Sequence, residues 1–213
     1  MNRVRTDVDV VEPKGLDIDN FEDVLYEIVK SEILTWTEDD IYAISFFVEN
    51  NLSYEYNGHK NVSKWSISYN TEEDCDEAEI YSEERWNYAC WRQDEYPIID
   101  IYNKNKYTDA LYDWYAQNGV TNIGIEDTDN EYDEQMNYIG KGPAGHYELL
   151  QLAADIGNRL QSESIIKNHF GRPIPIIVHG LEYAWYDIEA TKKANPAGEA
   201  DIFLKAAKNI GFY

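Results

Sequence analysis

The sequence predicts an α+β fold: a mostly antiparallel sheet, made of a meander of about three strands plus a C-terminal strand, packed against several helices. Three observations predict it. β-Branched and aromatic runs follow one another between residues 41 and 69, with turns too short to hold crossover helices. Apolar residues recur at helical spacing on both sides of that block. A late apolar run at 174–179 is entered through Pro173 and Pro175, which lack ladder donors and mark an edge strand. The length of 213 residues suits one large domain, here residues 20–213, preceded by a polar arm over 1–19 that contains Pro13 and Gly15.

The elements follow in order. Asn20 is an N-cap candidate, Glu22 and Asp23 fall in a first turn, and Phe21, Val24, Leu25, Ile28 and Val29 repeat at helical spacing, predicting a helix over 21–36. Residues 41–48 are almost continuously apolar, as in a central strand covered on both faces. Residues 52–56 read as the return strand, and Asn57-Gly58 is a hairpin signal. In 64–69, Trp65, Ile67 and Tyr69 alternate with Lys64, Ser66 and Ser68. Residues 71–81 are expected to form an acidic helix capped by Thr71, and the ring-rich stretch 85–91 to pack on the sheet. A short helix over 108–118 stops at Gly119, and 124–145 is a long irregular excursion. The longest helix is expected over 147–166 and a closing one over 199–208, so that helices cover one face of the sheet.

Charge narrows the function classes. Asp and Glu number 41 against 18 Lys and Arg, a formal net charge of −23. Such a surface repels nucleic-acid phosphate and anionic lipid, and attracts basic macromolecules at long range. No apolar stretch approaches a membrane span, no secretory leader is visible, and two cysteines, Cys75 and Cys90, make no disulfide framework, so the cytoplasm is the expected compartment.

The motifs that resemble chemistry fail on context. Gly140 to Gly145 matches G-x-G-x-x-G, but no strand precedes it, and Pro143 stands where a phosphate loop needs Ser or Thr. Asp127, Asp129, Glu131 and Asp133 alternate as in a calcium loop, but Tyr132 and Tyr138 occupy the positions that require Gly and Glu. The four histidines lack zinc spacing, and no nucleophile elbow exists. No cofactor and no catalytic residue is therefore assigned. What remains is acid: Glu72, Glu73, Asp74, Asp76, Glu77, Glu79, Glu83 and Glu84 place eight carboxylates in thirteen residues, and with the 127–133 group they offer a surface for a basic protein.

Asn70-Thr71-Glu72-Glu73 and Arg85-Trp86 with a spaced Trp91, behind a strand reading Tyr42-Ala43-Ile44-Ser45-Phe46, resemble a bacterial family called domain of unknown function 4303. Phe170-Gly171-Arg172 before the 174–178 run fits the same pattern, and the likeness spans about residues 20–207. The arm and the 124–145 excursion are where departures are expected. The resemblance implies, by analogy, an immunity protein that neutralises a cationic toxin domain. An enzyme with an unfamiliar carboxylate site, hydrolase-like, and a regulatory or scaffold domain remain the alternatives. Read from the residues themselves, Asn70 and Thr71 form a strand-to-helix cap, and Trp86 and Trp91 anchor a core.

Overall fold

The computed structural model describes residues 20–76, 78–103 and 106–212; the N-terminal arm and Glu77 lie outside them. Thirteen residues form α1 (Phe21–Ile33), whose Phe21, Leu25, Val29 and Ile33 are buried along one side. The central strand β1 (Ile41–Asn50) runs antiparallel to β4 (Ser63–Thr71), and β5 (Tyr96–Ile99) extends the sheet beyond β4. On the other side of β1 lies β6 (Ile176–His179), running parallel to it, so the order is β5-β4-β1-β6 and the sheet is mixed. The parallel step follows from the long passage through α3 (Lys106–Gln117), α4 (His146–Ser162) and α5 (Ile165–Phe170), which brings the chain back to the end where β1 begins.

β1 is buried along its first eight residues, as its apolar run requires. Ile44, Phe46 and Val48 pack with Trp65 and Ile67 under α1 and α4, whereas Ala43 and Phe47 face Trp86, Tyr88, Trp91 and Phe203. Helices thus lie on both faces, not one as expected. The second face is covered by α2 (Glu83–Trp86), the 3-10 turn Tyr88–Cys90, and α7 (Asp201–Ile210). A register shift between Ile41 and Ala43 sets Tyr42 with this second cluster, the re-aiming that a bulge produces.

The three-strand meander is corrected to a direct β1–β4 pair. Residues 52–56 do not return along β1. Leu52 is 83% exposed, and only Glu55–Tyr56 (β2) and His59–Lys60 (β3) pair, as a separate hairpin around Asn57-Gly58. Both turn residues have positive φ (50° and 83°), as that turn demands. The acidic helix over 71–81 is also corrected. Thr71 Oγ1 bonds Asp74, Asp76 adopts φ 50°, and the described residues make isolated turns. Crowded like charges disfavour a helix there. The long C-terminal helix breaks at Ser164 (φ 59°), separating α4 from α5.

The edge of β6 is closed by side chains. Asn195 accepts from Ile176 N (2.9 Å) and donates to Ile176 O (2.7 Å), while Thr191 Oγ1 does the same for Val178 N and O (both 3.0 Å). Both residues belong to α6 (Trp185–Ala194) or its C-cap. Unpaired edge groups invite strand addition, and α6 removes them. It also presses against α4: a Cβ on Gly157 would stand 2.9 Å from Ala194 Cβ. Gly157→Val is therefore expected to lower the unfolding free energy by about 2 kcal/mol through overpacking, measured by urea denaturation; an unchanged midpoint would contradict this packing.

Candidate functional site

The motif residues converge on Tyr42. Its hydroxyl donates to Arg85 O at 2.5 Å and accepts from Asn70 Nδ2 at 2.9 Å. Asn70 Oδ1 accepts from Arg92 N (3.1 Å), and Trp91 Nε1 donates to the same Arg85 carbonyl (2.7 Å). The Arg85 guanidinium lies 4.0 Å from the centre of the Tyr42 ring and grips Glu72 with both terminal nitrogens, at 2.5 and 2.6 Å. Trp86 and Trp91 are buried against Tyr42, ring centres 5.5 and 6.4 Å away. A β-bulge, a strand end and a ring-rich turn, distant in sequence, are thereby tied into one polar knot within an aromatic wall.

The predicted acidic residues divide. Glu72 is held by Arg85, whose hydrogen bonds keep its carboxyl below the ordinary range. Burial tends to raise Asp74, but bonds from Arg92 (2.6 Å) and Thr71 outweigh it and hold its pKa down. Glu73, Asp76, Glu79, Glu83 and Glu84 are exposed. Asp127, Asp129, Glu131 and Asp133 lie elsewhere. The first cluster follows the β4 end paired with Ile41, with Glu72 N bonded to Asp40 O. The second sits in the excursion that starts against Lys60 and ends at α4, where Ser63 Oγ meets His146 Nδ1 (2.9 Å), at the end where Asn50 pairs Ser63. About 30 Å of strand separates the two ends, so they do not make one negative face.

The second cluster is carried by a braced loop. Gly124 N bonds Ala144 O and Ala144 N bonds Ile125 O, each at 2.9 Å, which closes its base. Tyr132 bridges Tyr138, Ile139 N reaches Glu131 O (2.7 Å), and the Asp133 carboxylate accepts from Gln135 N, Asn137 N and Asn137 Nδ2. Ile125, Tyr132, Met136 and Ile139 are 63, 54, 75 and 48% exposed on it. Four large apolar side chains thus stand among Glu126, Asp127, Asp129 and Glu134, all exposed as well.

Near the first end lies a cleft of about 880 Å³. Arg85, Glu72 and Trp86 form one wall, Lys167 and Arg172 another, and the 196–199 approach to α7 a third. Sequence reasoning did not find it, because its cations come from 85, 167 and 172 and no local pattern joins them.

Two buried histidines have structural partners. His179 Nδ1 faces Gly180 O (2.7 Å), an acceptor only, so Nδ1 carries the proton and Nε2 accepts from Ser45 Oγ (2.8 Å). This resembles a nucleophile–base pair, but both residues are fully buried, and Phe47 and Tyr88 rings pack 5.3 and 4.8 Å from the imidazole. Burial pushes the pKa values of His179 and His146 down to about 4. Asp187 is pushed up to about 7 by burial, against bonds from Ala184 N (2.7 Å) and Gly180 N (3.1 Å).

Fold and sites together define an α+β protein with a mixed sheet enclosed on both faces, an acidic apolar loop at one end and a cation-lined cleft at the other. No protein-family model, no curated protein and no solved structure matches the chain. Among the described residues no helix is long and apolar enough to cross a membrane, and no group of three or more His, Cys, Asp or Glu gathers as a metal site.

Proposed function

We propose that this chain is a non-enzymatic binding protein that captures a cationic protein, acting in the cytoplasm as an immunity protein against a basic toxin domain. The observation that carries this reading is the braced 124–144 loop, which presents Tyr132, Met136, Ile125 and Ile139 among exposed carboxylates. Aromatic and Met side chains enrich the centres of interfaces. Surrounding acids steer a basic partner and match its charge. The loop's backbone is already hydrogen-bonded, so little ordering opposes docking. The net charge of −23 extends the attraction beyond the contact patch.

The test is calorimetric titration with the protein that the adjacent reading frame encodes, which this reading expects to be basic, at about 20 mM and about 300 mM salt. Binding is expected at low salt and weaker at high salt, with Tyr132→Ala and Met136→Ala each weakening it about tenfold. Gly124→Ala is expected to weaken it as well. At φ 82° its Cβ would meet Lys60 O at 1.7 Å, so the loop base must move. No binding at low salt would end the proposal. Loss on Glu83→Gln/Glu84→Gln with Tyr132→Ala and Met136→Ala silent would remove the loop as the docking surface.

A further inference from the structure

We infer that the cleft beside Arg85 is a binding site for a small organic anion with an apolar body, such as an aryl phosphate or carboxylate. The volume of about 880 Å³ lies within the span of small-molecule sites. Its charge runs against that of the whole molecule. In a chain of net charge −23, three cations, Arg85, Lys167 and Arg172, line it beside two carboxylates, Glu72 and Glu199. Glu72 and Arg85 neutralise one another through two short bonds. Lys167 is exposed and forms no ion pair among the described residues. Arg172 is oriented by backbone carbonyls, Ile41 O at 2.5 Å and Asp39 O at 3.3 Å, which fix its guanidinium without cancelling its charge. Two positive charges therefore face the single remaining carboxylate, that of Glu199, which accepts from Ala197 N at 3.0 Å.

Around the cations, Ile80 and Ile202 stand 46 and 44% exposed on the rim. An apolar body seated between them would cover surface that solvent now meets, while its head reached Lys167 and Arg172.

The experiment is an amide NMR titration of the full chain with phenyl phosphate, with benzoate, and with benzylamine as a cation of similar size. The overall charge favours benzylamine, so preference for the anions at one place is a property of the cleft. Saturable shifts are expected for amides of 164–172 and 197–202 with phenyl phosphate and, more weakly, with benzoate, and none there with benzylamine. Lys167→Glu is expected to weaken phenyl phosphate binding about tenfold, the loss of about 1.4 kcal/mol of charge-assisted bonding, with an unchanged thermal midpoint because Lys167 is exposed and has no ion-pair partner among the described residues. Absence of saturable shifts with either anion, equal shifts with benzylamine, or unchanged affinity in Lys167→Glu would each overturn the assignment. None of these results depends on whether the 124–144 loop binds a protein.

Discussion

Asp187→Asn is expected to make the protein much more sensitive to mild acid than the parent chain. Three buried groups set this. His146 and His179 have folded-state pKa values of about 4, below the ordinary histidine value of 6.5, so the native state binds fewer protons than the unfolded chain in between. Their contribution is present above 6.5 and is lost as pH falls toward 4. Asp187 has the opposite sign. Its folded pKa of about 7 lies above its ordinary 3.8, so the native state holds a proton that the unfolded chain releases, and its contribution is present in acid and lost as pH rises through 7. Between about pH 7.5 and about pH 5 the two histidines together cost about 4 kcal/mol and Asp187 returns about 2, so the parent loses about 2 kcal/mol. Asp187→Asn removes the offset and should lose about 4 kcal/mol over the same interval, whereas His179→Gln should lose little. Urea denaturation at the two pH values gives the slopes, which are independent of each variant's absolute stability. Equal slopes in all three proteins would show that these groups do not titrate as their burial requires.

What the sequence made legible was local. The unbroken apolar run of β1 shows a strand covered on both faces because the signal lies in adjacent residues, and Asn57-Gly58 announces its own turn. β5 was not legible: four residues with Pro97 among them carry too little pattern. α6 was missed for a different reason. Part of its inward face is polar, since Asp187, Thr191 and the C-cap Asn195 serve the backbone of β6 and Gly180, so an apolar period does not report the burial. The Ser45–His179 pair joins residues 134 positions apart on neighbouring strands, and no spacing rule reaches it. The cleft was hidden in the same way. The acidic run at 72–79 was legible as composition only; which of its carboxylates remain available to a partner was decided by Arg85 and Arg92, supplied by a later turn.

That division predicts an asymmetry between the two members of the Glu72–Arg85 pair. Arg85 is 8% exposed, with its charge between the Tyr42 ring and the Glu72 carboxylate, whereas the Glu72 side chain is 43% exposed. Removing one partner of a buried pair is costly in proportion to how deeply the other stays buried and uncompensated. Glu72→Ala leaves the guanidinium inside and is expected to destabilise by about 3 kcal/mol. Arg85→Met leaves a carboxylate that turns to water, and the thioether fills the space beside Tyr42 and Trp86, so about 1 kcal/mol is expected. The double variant should resemble Arg85→Met alone, because once the buried cation is gone the acid has nothing to neutralise. A double-mutant cycle by denaturation measures all three corners. Equal losses in the two single variants would mean that both charges are equally solvated, and Glu72 would then return to the acids available to a basic partner. A larger loss for Glu72→Ala would instead place its carboxylate in the knot around Tyr42, leaving Glu73, Asp76, Glu79, Glu83 and Glu84 as the exposed charge at that end.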